Sequence, residues 1–241
     1  MKLAAMLALW WTLAGLRCAG SAPPPDARAP SDVASADVTA AGSVRYLSLG
    51  DSFTIGTGSL PAEAFPSRLV ERWRRQGCAV ELRNPAVNGY TTQDVIDREL
   101  PELEGYRPTF VTLAVGANDL VRGRDEDAYR AQLRRILQAV LRGPGAVSAS
   151  RLVALPQPDW SLSPAASGFG EPEALAARIE RFNAILREET LAVGGRYVDL
   201  FPLMRRQARE GLLAGDGLHP SAAAHDAWAE ALAAALPRCG G

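Results

Sequence analysis

Residues 46–56 read YLSLGDSFTIG, an apolar run that breaks off at a polar triplet. Residues 44–49 have the pattern of a buried strand, and Gly50 ends it. A strand that stops on Gly-Asp-Ser either closes in a plain turn or presents Ser52 at its carboxyl end. The rest of the chain decides between the two.

Further apolar runs predict strands over 80–83, 109–115, 151–155 and 196–200. The run at 109–115, TFVTLAV, is almost continuous, as expected of a strand covered on both faces. Helical spacing predicts helices over 64–76, 124–141, 173–193 and 220–236, with another capped by Thr91 or Thr92 and running toward Leu100. Strands alternating with helices imply right-handed crossovers and a five-stranded parallel sheet with helices on both faces. In such folds chemistry sits in the loops at the carboxyl ends of the strands. The unusual residues fall there: Asp51-Ser52 after the first strand, Asn88-Gly89 after the second, and Asn118-Asp119 after the third. A fourth group, Asp216-Gly217-Leu218-His219-Pro220, precedes the terminal helix.

Composition narrows the chemistry. The 241 residues are 47% hydrophobic and 22% charged with a net charge of −1, which suits one domain with a full core. A near-neutral balance gives no footprint for nucleic acid. Lys2 is the only lysine, so beyond it there is no Schiff-base lysine, Ser-Lys dyad or phosphate-loop lysine. Residues 1–22, with one early positive charge and an apolar stretch ending in small residues, read as a signal peptide. Residues 23–42 read as a flexible Ala/Pro-rich leader and 43–241 as the domain. The protein is therefore expected to be exported, periplasmic or secreted. Arg17 makes Cys18 a poor lipid-attachment site, so lipid anchoring is the lesser reading, and no obligatory membrane partner is expected. Cys78 and Cys239 would remain in the mature chain and could pair in an oxidising compartment.

There are two histidines. His225 reads as a partly exposed residue of the terminal helix. His219 lies beside Pro220, which suits a first helical turn, with Asp216 three residues before it. At that spacing Asp216 can accept from the imidazole Nδ1–H and leave Nε2 free to take a proton. Ser52 needs such a base. It also needs oxyanion donors, which Gly89 N–H, the Asn118 amide and its own N–H can supply. Each motif alone matches a plain turn; their placement at the carboxyl ends of the strands favours a site.

The blocks GDSFTIG, VNGYTT, VGANDL and DGLHP together resemble the SGNH hydrolases, the GDSL esterase/lipase family, in order and separation over roughly residues 44–236. The resemblance implies a flavodoxin-like three-layer α/β/α sandwich. It also implies Ser52 as nucleophile, His219 as base, Asp216 as its orienter, and Ser52, Gly89 and Asn118 as the oxyanion hole. Phe53 stands where leucine gives the family its name and is expected to pack or to touch substrate. In the resembled fold the first and last helices lie side by side, so a Cys78–Cys239 disulfide is expected. The expected activity is hydrolysis of small acyl, aryl or lipid esters through an acyl-enzyme, without metal or cofactor.

Asp51 and Asp119 are assigned to loop hydrogen bonding. The Pro/Gly/Ser-rich stretch 156–172, with Trp160 and Phe169, is either an ordinary loop or a mobile wall over the substrate pocket. A Gly-x-Ser-x-Gly elbow, a phosphate loop, a dinucleotide fingerprint and a metal-ligand spacing are all missing around these residues. Acyl transfer to another alcohol, or a non-catalytic carbohydrate-binding module on the same scaffold, are the remaining alternatives.

Overall fold

The structure, a computed structural model, describes residues 43–240. Residues 1–42, on which the expected signal peptide, the expected leader and Cys18 fall, lie outside the described residues. In chain order the elements are β1 (Val44–Gly50), α1 (Ser52–Ile55), α2 (Phe65–Arg75), β2 (Val80–Arg83), α3 (Thr92–Asp94), α4 (Glu102–Tyr106) and β3 (Phe110–Ala114). There follow α5 (Ala117–Val121), α6 (Glu126–Arg142), β4 (Leu152–Ala154), α7 (Pro172–Ala192), β5 (Arg196–Tyr197), α8 (Phe201–Arg209) and α9 (Ala222–Ala235). A π-helical turn, Val95–Glu99, continues α3.

All strand pairs are parallel and the order is β2-β1-β3-β4-β5. Strand alternation divides the core into two layers. Leu47, Leu49, Val111 and Leu113 face α6 and α7, where they meet Leu133, Ile136, Ile179 and Phe182. Tyr46, Phe110, Val153 and Leu155 face the other way, toward Phe65, Trp73, Met204 and Trp228 on α2, α8 and α9. Both faces of β3 are therefore dry, which explains its unbroken apolar run. Each such side chain contributes about 1.5–3 kcal/mol of burial. Three hydroxyls inside the sheet layer pair with one another: Thr112 Oγ1 lies 2.8 Å from Tyr46 Oη and 2.9 Å from Ser48 Oγ. The result is the three-layer α/β/α sandwich with its sheet reversing direction of growth between β1 and β3, the place where such sheets bind ligands.

α2 and α9 pack side by side. The Arg72 guanidinium donates two 2.9 Å hydrogen bonds to Asp226, and Phe65 lies against Trp228. Beyond the ends of these helices Cys78 and Cys239 form a disulfide, with Cα atoms 5.9 Å apart.

The structure departs from the sequence expectations in four places. The strands expected over 151–155 and 196–200 shorten to Leu152–Ala154 and Arg196–Tyr197, although Leu155 and Val198 each still donate one N–H to a neighbouring strand. The last helix starts at Ala222, not at Pro220, because Ser221 caps it by accepting from Ala224 N–H. Pro220 instead bridges to Leu213, so His219 sits in a loop rather than a first helical turn. His225 is fully buried against Phe65 and Trp228, and burial, with His219 nearby, lowers its pKa to about 4. The helices α1, α4, α5 and α8 lie outside the sequence expectations.

Candidate active site

β1 delivers Ser52 to the carboxyl edge through a turn with no spare room. A methyl group on Gly50 would overlap Thr54 Oγ1 and the Ala114 carbonyl. Asp51 is the N-cap of α1, its Oδ1 accepting from Phe53 N–H at 3.1 Å. Ser52 becomes the first helical residue, so its N–H has no acceptor within the helix. Ser52 is nearly buried, at 5% exposure.

Asn118 arrives from β3 by a comparable device. Gly116, at φ 134°, starts α5 where a Cβ would strike the Tyr129 ring. The Tyr129 hydroxyl in turn donates to Val115 O at 2.9 Å. Asn118 Nδ2 donates to Tyr90 O at 2.9 Å, leaving the second amide hydrogen free for a ligand. One turn further along α5, Arg122 donates to Gly89 O, also at 2.9 Å. Two side chains four residues apart thus staple the 89–90 loop to α5. Gly89 has φ 86° and open space where a side chain would lie, so its glycine is required by backbone conformation rather than by close packing. Asp119 is buried and accepts from Thr92 N–H at 2.8 Å, Thr92 Oγ1 at 2.6 Å and Arg124 Nε at 2.6 Å, tying α3 to α5.

The His219 loop is organised by Asp216. Its Oδ2 lies 2.6 Å from His219 Nδ1, while Oδ1 accepts from the N–H groups of Leu218 and His219 at 3.0 Å. Partial burial works against the ionised carboxylate, but these hydrogen bonds outweigh it and hold its pKa below the ordinary value. The bond to Nδ1 leaves Nε2 as the free ring nitrogen. Phe53 packs on the His219 ring at 5.3 Å and stacks on Trp160 at 6.2 Å.

Ser52, Phe53, Asn118, Trp160, Leu218 and His219 line one cleft of about 90 Å³, completed by Asn88, Ala117, Val121 and Phe169. Ser52 Oγ and His219 face this cleft without a hydrogen bond between them, a gap that commonly closes when substrate binds. Gly89 sits beside the cleft, next to Asn88. The stretch 156–172 does supply a wall through Trp160 and Phe169, but it is anchored. Gln157 and Asn183 exchange two hydrogen bonds of 2.8 and 2.9 Å, and buried Asp159 meets Arg205 at 3.1 Å. Arg122, Asp159 and Arg205 gave no signal in the sequence, because their roles depend on partners far along the chain. Among the described residues no group of three or more His, Cys, Asp or Glu side chains is arranged to hold a metal ion.

Fold and cleft together define a hydrolase-type α/β domain with its polar residues at the β1/β3 switch point. The chain belongs to the GDSL-like lipase/acylhydrolase family, whose model matches residues 48–227. Among curated proteins it is similar to thioesterase 1/protease 1/lysophospholipase L1 of Escherichia coli (strain K12), at 32% identity over 101 residues. That match covers 42% of this chain and 47% of the relative, so it spans about half the relative's length. Among solved structures it is similar to an acetyl xylan esterase from Geobacillus stearothermophilus, with a TM-score of 0.63 and 21% identity over 80% of this chain and 94% of the other. A psychrotrophic esterase from Pseudoalteromonas sp. gives a TM-score of 0.61 at 19% identity, over 78% and 93% respectively. At these identities the structural likeness concerns the fold.

Proposed function

We propose that this chain is a serine hydrolase of carboxylic esters, with Ser52 as nucleophile, His219 as base and Asp216 as its orienter. The observation that carries the reading is the 2.6 Å His219–Asp216 pair opening on the same cleft as Ser52 and Asn118. His219 Nε2 takes the hydroxyl proton as Ser52 Oγ adds to the ester carbonyl. The tetrahedral oxyanion is held by Ser52 N–H, Gly89 N–H and Asn118 Nδ2. His219 then gives the proton to the departing alcohol, leaving an acyl-serine. Water adds to that ester with His219 again as base, and the carboxylic acid leaves.

The cleft argues for small substrates. At about 90 Å³ it is well below the roughly 300–1,000 Å³ of pockets that enclose a drug-sized ligand. Its walls are Phe53, Trp160, Phe169, Val121 and Leu218, which suit a short or aromatic acyl group with the alcohol directed outward. Export is part of the proposal. It is supported by the signal-like first 22 residues and by the Cys78–Cys239 disulfide. No helix among the described residues is long and apolar enough to cross a membrane. The test is a ladder of p-nitrophenyl esters from acetate to palmitate, with Ser52→Ala beside it. Turnover of the short esters, absent in Ser52→Ala, is expected; equal turnover by the variant would end the proposal.

A further inference from the structure

Two buried acids lie under the serine turn, and the acyl-transfer steps use neither. β2 stops opposite Leu47, so the later residues of β1 have no strand on that side. Backbone N–H groups of even-numbered β1 residues point there: Val44 N–H donates to Ala79 O of the β2 side. Gly50 N–H would be left without an acceptor. Glu99, the last residue of the π-helical turn, fills the gap, its Oε2 accepting from Gly50 N–H at 2.9 Å. Asp51 holds Phe53 N–H from the next residue along. The two carboxyl groups therefore grip the backbone on either side of Ser52.

Both acids are fully buried, and each has one oxygen, Glu99 Oε1 and Asp51 Oδ2, without a hydrogen-bond partner among the described residues. The groups that face them add no cation. Asp119 on α5 lies toward Asp51, already paired with Arg124, as does the neutral Tyr129 on α6. Glu99 faces Asp51 and, from α3, Asp94. Two unpaired negative charges here would carry a large desolvation cost, whereas a proton on the unpartnered oxygen removes it.

We propose that Glu99 is a positioning residue for Ser52: its carboxyl holds the Gly50 N–H while Asp51 holds that of Phe53, and negative charge gathering on these two buried acids loosens the serine turn. The inference rests on Ser52 being the nucleophile. Burial raises the pKa of each acid to about 8, Glu99 further through the charge of Asp51 and Asp51 further through that of Asp119. Because the folded values lie above the unfolded ones, the fold favours the protonated forms. The pair's stabilising effect is therefore complete at acid pH and is lost as pH rises from the ordinary carboxylate range through about 8.

The deciding experiment is the pH profile of kcat and KM on p-nitrophenyl acetate for the wild type, Glu99→Gln and Glu99→Ala. Glutamine keeps an oxygen for Gly50 N–H and cannot ionise. It is expected to keep kcat near pH 7 within about threefold and to remove the alkaline fall in activity, together with the protonated-carboxyl infrared band of Glu99. Alanine is expected to lower kcat about tenfold or more, the order of a lost hydrogen bond to a charged or buried group, with KM nearly unchanged. An alkaline limb unchanged in Glu99→Gln would overturn the proposal, and the same profile decides it if Glu99→Ala fails to fold. Labelling of Ser52 by a fluorophosphonate separates the two levels. Labelled wild type with an unaltered Gln profile refutes only the role of Glu99, and a wild type that is not labelled at Ser52 refutes the esterase reading beneath it.

Discussion

At the scale of single residues, the site depends on a few directional bonds. Asn118→Ala removes the proposed side-chain oxyanion donor and is expected to lower kcat by about 10²–10³-fold with the fold intact, read by steady-state kinetics beside circular dichroism. Asp216 is the hydrogen-bond partner of His219 Nδ1, so Asp216→Asn is expected to cost on the order of 10²–10⁴-fold by favouring the wrong tautomer. Because the pKa of Asp216 is depressed, its charge and the bond to His219 persist at neutral pH and are lost only as pH falls below the ordinary aspartate range. Arg122 has no part in the proposed acyl-transfer steps but holds the Gly89 carbonyl. Arg122→Ala is expected to lower kcat by about 2–10-fold, the equivalent of one net hydrogen bond; an unchanged kcat would show that the 89–90 loop holds its shape alone.

At the scale of elements, the strand ends were legible and their supports were not. Ser52, Asn118 and His219 stood out because glycine and short polar residues interrupt apolar runs at Gly50, Gly116 and Gly217. The staples behind them were hidden, since Arg122, Glu99 and Asp159 look like ordinary solvated charges until the chain folds. α8 is hidden in the sequence because arginines accompany its few apolar positions, and the burial of His225 because the alanines of α9 conceal which face is covered. The stretch 156–172 was half legible: its aromatic residues marked a wall, but its anchors to Asn183 and Arg205 are tertiary. Trp160 lines the cleft and stacks on Phe53. Trp160→Ala is therefore expected to shift the preferred p-nitrophenyl ester toward longer acyl chains, and an unchanged chain-length preference would contradict its role as a wall.

At the scale of the whole molecule, the parallel order β2-β1-β3-β4-β5 places the Ser52 and Asn118 loops on neighbouring strands, and the disulfide ties the chain after α2 to the chain after α9. The loop closed by that bond spans 161 residues, so Cys78→Ser is expected to lower unfolding stability by about 2–5 kcal/mol in urea titration while leaving the site chemistry in place. Labelling of both Cys78 and Cys239 by a thiol reagent in the folded, oxidised protein would contradict the bond. The central claim is that this architecture makes Ser52 an acyl-accepting nucleophile. Its most direct test is peptide mass analysis of enzyme quenched during turnover of p-nitrophenyl acetate. The expected result is one acetyl group on the Ser52 peptide, absent in Ser52→Ala; acetylation confined to another residue, or turnover undiminished in that variant, would contradict it.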